Sequence, residues 1–112
     1  MVEEMLTNIG CNVTAVADKE DCVAEFRNKK YELVIFEQGL PDLNVNNFVE
    51  ELAEIDPLTP IAMMATLAIE FYEKRYGHSN IDFLIVKPFE LIQLQRLVEE
   101  AGELSDRLKG TH

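Results

Sequence analysis

Apolar residues along this chain gather into short unbroken runs separated by segments with helical spacing. Three runs, 33–36 (Leu-Val-Ile-Phe), 61–64 (Ile-Ala-Met-Met) and 83–86 (Phe-Leu-Ile-Val), have strand length and no polar interruption, the pattern of strands covered on both faces. A fourth strand is predicted at 12–17, where Val13, Ala15 and Ala17 alternate with polar or smaller neighbours. Helices are predicted around these runs. The first, 2–9, places Met5, Leu6 and Ile9 on one face and stops at Gly10. The second, 19–28, follows Asp18 in the N-cap position and turns Cys22, Val23 and Phe26 inward. A third, 46–55, presents Phe48, Val49 and Leu52, a fourth covers 68–76 and ends at Gly77, and a long one spans 90–109. Gly39-Leu40-Pro41, Asp56-Pro57, Thr59-Pro60 and Lys87-Pro88 punctuate the elements. Strands separated by helices of this length imply parallel βαβ units with right-handed crossovers, hence an α/β three-layer sandwich with four strands.

Length and composition narrow the function classes. The 112 residues form one domain, 1–112, with no repeat, low-complexity tract or long linker. Its 47 % hydrophobic and 28 % charged residues are ordinary for a globular protein. The net charge of −11, from 21 acidic and 10 basic residues, repels phosphate backbones and anionic lipid. No direct nucleic-acid or membrane partner is therefore expected, and basic protein surfaces are the natural complement. The apolar runs are far too short to span a bilayer, and no basic n-region with an apolar core opens the chain; the expected location is cytoplasmic. Cys11 and Cys22 are expected to be buried free thiols, since nothing else suggests a secreted scaffold.

In a parallel α/β sheet, chemistry collects at the carboxyl ends of the strands. Those positions hold Glu37, then Ala65 and Thr66, then Lys87. The stretch Leu33-Val34-Ile35-Phe36-Glu37-Gln38-Gly39-Leu40-Pro41 resembles the third strand and phosphoacceptor loop of response-regulator receiver domains, with Glu37 where that family carries Asp. Residues 59–66 look like its fourth strand, and Phe83-Leu84-Ile85-Val86-Lys87-Pro88-Phe89 like its fifth. The resemblance runs from residue 1 to about residue 100. It implies a CheY-like (flavodoxin-like) fold, a role in two-component signal transduction with no enzymatic activity of its own, and a cis Lys87-Pro88 bond aiming the lysine at the acceptor.

The departures from the family pattern matter as much. The chain opens within what corresponds to the family's first helix, so the first strand and the acidic pair after it, which hold Mg²⁺ in the family, have no counterpart here. Glu3 and Glu4 fall too late, on a helix, to replace them. Glu37 stands for the acceptor Asp, Ala65 for the hydroxyl residue that contacts the phosphoryl group (Thr66 follows it), and Leu84 for the aromatic switch residue (Phe83 precedes it). No metal and no cofactor are expected. The resemblance implies that Glu37 and Lys87 meet as an ion pair. Two readings of that pair are open: a built-in stand-in for the phosphorylated state, or a solvated remnant without consequence. A carboxylate brings one charge where a phosphoryl group brings roughly −1.5 to −2.

In the family order 2-1-3-4-5 the absent strand lies between 12–17 and 33–36. Buried backbone groups rarely go unpaired. The expectation is that those two strands pair directly or that self-association fills the gap. The last helix repeats Leu91, Leu94, Leu97, Val98, Ala101, Leu104 and Leu108 at three- and four-residue spacing. Its end, about 100–112, is either a frayed core-facing helix or an extension that dimerises or leads into another domain, with Leu104 and Leu108 as interface candidates. Tyr72 and Tyr76, on the helix after the fourth-strand motif, are further interface candidates. The partner expected is a signalling protein, a histidine kinase or an output domain. His78 and His112 lack metal-ligand spacing, and Ser79 has no base-and-acid partners. Two alternatives stand beside the degenerate receiver: a phosphoaccepting receiver whose metal-binding strand lies outside this sequence, and a small flavodoxin-like ligand binder or enzyme using the strand-end cleft.

Overall fold

The structure, a computed structural model, describes residues 2–39, 43–65 and 80–109. In chain order the elements are α1 (Val2–Asn8), α2 (Lys19–Asn28), β1 (Val34–Glu37), α3 (Val45–Ile55), β2 (Ile61–Ala65), β3 (Phe83–Val86) and α4 (Leu91–Lys109). Two helix starts carry side-chain N-caps, Asp18 where the sequence marks one and Asn44 where it does not. Asp18 accepts a hydrogen bond from the Asp21 N–H at 2.8 Å, and Asn44 one from the Asn47 N–H at 3.1 Å. The first helix stops where Gly10 takes a left-handed conformation, φ 94°, and the Cys11 N–H turns back to the Leu6 carbonyl at 3.0 Å.

The strands form a parallel sheet in the order β1-β2-β3, with Val34 beside Ile61 and Ala62 beside Phe83 at its lower end. Because side chains alternate across a strand, the sheet divides the core in two. Val34, Phe36, Ile61, Met63 and Ala65 face α2 and α3, packing on Val23, Phe26, Phe48, Val49 and Leu52. Ala62, Met64 and Ile85 face α1 and α4, packing on Leu6, Leu94 and Leu97. Every residue of β2 is buried, which is why 61–65 reads as an uninterrupted apolar run. The three layers expected from the sequence are therefore present. Side chains tie the loops to each other and to the sheet: Thr59 Oγ1 donates to the Tyr31 carbonyl at 3.0 Å, and the Asp82 carboxylate accepts from the Ile61 N–H at 2.8 Å.

One predicted strand does not form. Residues 11–16 make no ladder, and among the described residues the sheet has three strands rather than four. The alternation is real, since Cys11 and Val13 pack on the α1/α4 side of the core while Ala15 and Ala17 are exposed. A strand, however, needs a neighbour for its backbone, and among the described residues none pairs with 11–16. Direct pairing of that segment with β1, one of the two expected closures of the gap, is absent as well. Side chains hold the segment instead. Tyr31 Oη donates to Glu25 Oε1 at 2.6 Å, and Thr14 Oγ1 lies 3.2 Å from the same phenol oxygen.

The last helix also differs from its sequence pattern at both ends. Leu94, Leu97 and Ala101 are buried, but Leu91 and Leu108 are each 41 % exposed and Leu104 is half-buried. The sheet is only four or five residues long. A 19-residue helix, rising about 1.5 Å per residue, outruns it. The predicted helix 68–76 lies outside the described residues.

Candidate functional site

The carboxyl end of the sheet assembles from backbone outward. Glu37 is the last residue of β1, beside Met64, and Ala65 ends β2 beside Val86. Two hydrogen bonds carry the ladders one step past these pairs: Gln38 N–H to Met64 O at 3.0 Å, and Lys87 N–H to Ala65 O at 2.6 Å. Glu37 and Lys87 are thus anchored on either side of the central strand. Neighbouring strands lie about 4.7–4.9 Å apart, so their side chains must span nearly two such spacings around the end of β2. A glutamate and a lysine are long enough to do so. Lys87 Nζ donates to Glu37 Oε1, and the two form the ion pair that the resemblance implied. The Lys87–Pro88 peptide bond is cis, also as implied.

The pair is not sealed from water. The side chains of Glu37 and Lys87 retain 44 % and 36 % exposure, and pairs in that setting contribute about 0–1 kcal/mol. A double-mutant cycle with Glu37→Gln and Lys87→Met is therefore expected to give a coupling of at most about 1 kcal/mol in urea unfolding. The pair fixes which group occupies the lysine; it does not hold the fold together.

Receivers of the ordinary kind place Mg²⁺ here, and the described residues do not fit it. A Mg²⁺ ion wants near-octahedral oxygen ligation from carboxylates and water. Among the described residues no three His, Cys, Asp or Glu side chains converge. Glu3 and Glu4 line an open depression with Thr7, Asn8 and Val13, which Glu37 does not line. One Glu37 oxygen is already engaged by Lys87.

The remaining expected site residues fall as follows. Ala65 is buried and offers only a methyl group. Phe83 and Leu84 are half-buried on opposite faces, Phe83 toward α1 and α4, Leu84 toward α2 and α3. Neither joins the Glu37–Lys87 contact. Pro88 is exposed. Thr66, Tyr72 and Tyr76, with His78 and Ser79, lie outside the described residues. Cys11 and Cys22 are free, as expected, but half-buried rather than fully buried, and they pack on opposite sides of the sheet. Burial pushes the Cys22 thiol pKa up. Iodoacetamide is therefore expected to label Cys22 more slowly in the folded protein than in urea at the same mildly alkaline pH, read by peptide mass. The Tyr31–Glu25–Thr14 cluster went unread in the sequence. Its only cue is a tyrosine just ahead of an apolar run.

The family model for the response regulator receiver domain matches residues 1–99 of the 112. The chain belongs to the response regulator receiver domain family. Among curated proteins, this receiver domain is 24 % identical over 102 residues to the transcriptional regulatory protein ZraR of Salmonella typhimurium, covering 90 % of this chain and 23 % of that protein. It thus spans about a quarter of the length of that relative. Among solved structures it is similar to the receiver domain of NtrX from Brucella abortus, with a TM-score of 0.82, 20 % identity and coverage of 91 % of this chain and 87 % of that one. It is similar also to the receiver domain of the sensor histidine kinase PA1611 from Pseudomonas aeruginosa, solved with a magnesium ion coordinated in the active-site cleft. There the TM-score is 0.80, the identity 23 %, and the coverage 91 % of this chain and 85 % of that one. At these identities the two structures speak for the fold of this receiver domain, and the family match for its place in two-component signalling.

Proposed function

We propose that this receiver domain is a degenerate one: a non-enzymatic interaction module that works by protein–protein recognition without ordinary aspartate phosphorylation. The observation that carries the reading is the Lys87–Glu37 contact. In an ordinary receiver the lysine pairs first with the acceptor aspartate and later with its phosphate. Here the longer glutamate meets it, at the position where transfer would begin. Phosphoryl transfer depends on metal and lysine together offsetting the charge of the transferring group, and among the described residues no donor set for a metal converges at Glu37.

Its partners on this reading are proteins of the same pathway, a histidine kinase or an output domain, met in the cytoplasm. The charge of −11 favours a basic surface on the partner. Self-association, if it occurs, rests on the half-buried Leu104 and exposed Leu108 at the end of α4, and sedimentation at rising concentration reads it.

A second reading has one observation in its favour. Among the described residues the outer edge of β1 is unpaired, and a strand preceding residue 1 that carries acidic residues would both pair that edge and supply metal ligands, making a phosphoaccepting receiver of the longer chain. Incubation of the 112-residue protein with acetyl phosphate and Mg²⁺, followed by intact mass, tests the main reading. The mass is expected to stay unchanged; a stable added phosphoryl group on this chain overturns it.

A further inference from the structure

The Glu37–Lys87 pair admits two roles: a built-in stand-in for a phosphorylated state, or a contact that leaves the rest of the surface unchanged. Magnitude decides between them. Moving a two-state equilibrium from 1:99 to 99:1 takes about a 10⁴-fold preference for one state. A pair whose side chains keep 44 % and 36 % exposure contributes at most about a fivefold bias, even if all of it favours one conformation. Salt screens part of that. A carboxylate also brings a single charge, where a phosphoryl group brings roughly −1.5 to −2 and three acceptor oxygens.

The surroundings of the pair amplify nothing. The described residue that stands between its two partners is Ala65, whose methyl group is 2 % exposed and packs into the α2/α3 half of the core. Ala65 meets the pair through its backbone carbonyl, which accepts from the Lys87 N–H at 2.6 Å. A methyl neither donates nor accepts a hydrogen bond, so a change of charge at residue 37 finds no side-chain group to draw on there. Phe83 and Leu84 stand four and three residues before Lys87, about 10–13 Å back along β3 at roughly 3.3 Å per residue. Each is held by its own half of the core, Phe83 against the α1/α4 cluster and Leu84 against the α2/α3 cluster. The first turn of α4 rests on its own bonds, Gln93 and Leu94 N–H to the Glu90 carbonyl at 3.0 and 3.3 Å, and on the buried Leu94 side chain. A close-packed core resists such shifts more strongly than an exposed ion pair can drive them.

We infer that the recognition surface of this receiver domain is constitutive: the packed core sets it, and the charge at residue 37 does not switch it. This rests on the reading above that Glu37 takes no phosphate, and adds that the pair is no substitute for one. Engagement with a partner then follows the concentrations of the two proteins, with no separate active form for the partner to select.

The test compares the 112-residue protein with Glu37→Gln and Lys87→Met by amide NMR shifts and hydrogen exchange. The first change removes the carboxylate charge at constant length, and the second removes the ammonium and keeps its stem. Shift changes are expected to stay within residues 36–38, 64–65 and 86–88. Exchange at the Gln93 and Leu94 amides is expected to stay within about fivefold of the parent, the largest bias an exposed pair supplies. Shifts that carry Phe83, Leu84 and the first turn of α4 together, along one line in both variants, overturn the inference, because they reveal a second conformation that the pair holds off. Exchange at Gln93 and Leu94 altered beyond fivefold overturns it as well. The underlying reading fails by a different observation, a phosphoryl mass gained by the parent from acetyl phosphate, so the two failures are told apart.

Discussion

Phe48→Ala is expected to remove about 3–5 kcal/mol of unfolding free energy, the usual loss for truncating a buried aromatic residue. Phe48 is 1 % exposed and sits at the centre of the α2/α3 half of the core. Its ring meets Phe36 edge-on, with centroids 5.2 Å apart and planes at 80°, an arrangement worth about 0.5–1.5 kcal/mol beyond area burial. Nothing can refill the space, because β1 and β2 fix its floor and Val49 and Leu52 are already in place. Domains of this size hold only about 5–15 kcal/mol in total. The variant is thus expected to unfold at a much lower urea midpoint, with partial unfolding already in buffer. Circular dichroism against urea checks it, and a midpoint within error of the parent would show that this face is not the packed core described.

Leu94→Ala is the corresponding change on the other side of the sheet, with an expected loss of about 2–5 kcal/mol. Leu94 is fully buried and joins α4 to Leu6 on α1 and to Ala62, Met64 and Ile85 on the sheet. The buried members of the two clusters do not overlap, so the effects of Phe48→Ala and Leu94→Ala are expected to add. The double variant should then have no folded baseline at all. A folded double variant would mean that the two halves relax into each other.

Both changes dwarf anything available at the strand-end pair. That difference in scale separates scaffold from site: the core decides whether Glu37 and Lys87 are held in place, and the pair decides only which charge the lysine sees. The division was partly legible in the chain itself. The runs 33–36, 61–64 and 83–86 announced β1, β2 and β3 to within a residue, because strands buried on both faces leave no polar position to blur the pattern. Asp18 announced the start of α2 because its carboxylate satisfies an amide that the helix leaves open. The segment 12–17 misled for a physical reason. Its alternation records which side chains are half-buried, whereas a strand also requires a paired backbone, and pairing belongs to the neighbour rather than to the segment. Likewise the leucine spacing of 91–108 gives the face of α4 but not where the sheet beneath it ends.

At the site, Glu37 and Lys87 were each legible as residues at strand ends, and a family resemblance suggested that they meet. Their contact depends on sheet order, on Lys87 N–H holding the end of β2, and on side-chain reach, none of which a linear sequence displays. The Tyr31–Glu25–Thr14 cluster was hidden for the same reason, since it joins residues from three segments across the gap beside β1.

Either the strand ends hold the Glu37–Lys87 ion pair without a metal, as proposed, or they bind a divalent cation as an ordinary receiver does. An NMR titration of the 112-residue protein with Mg²⁺ to millimolar levels reads this residue by residue. The expected result is that the amides of Gln38, Ala65 and Lys87 and the Lys87 ammonium stay where they began, apart from a uniform ionic-strength drift. Saturable shifts confined to those positions, with release of the Lys87 ammonium from Glu37, would contradict it.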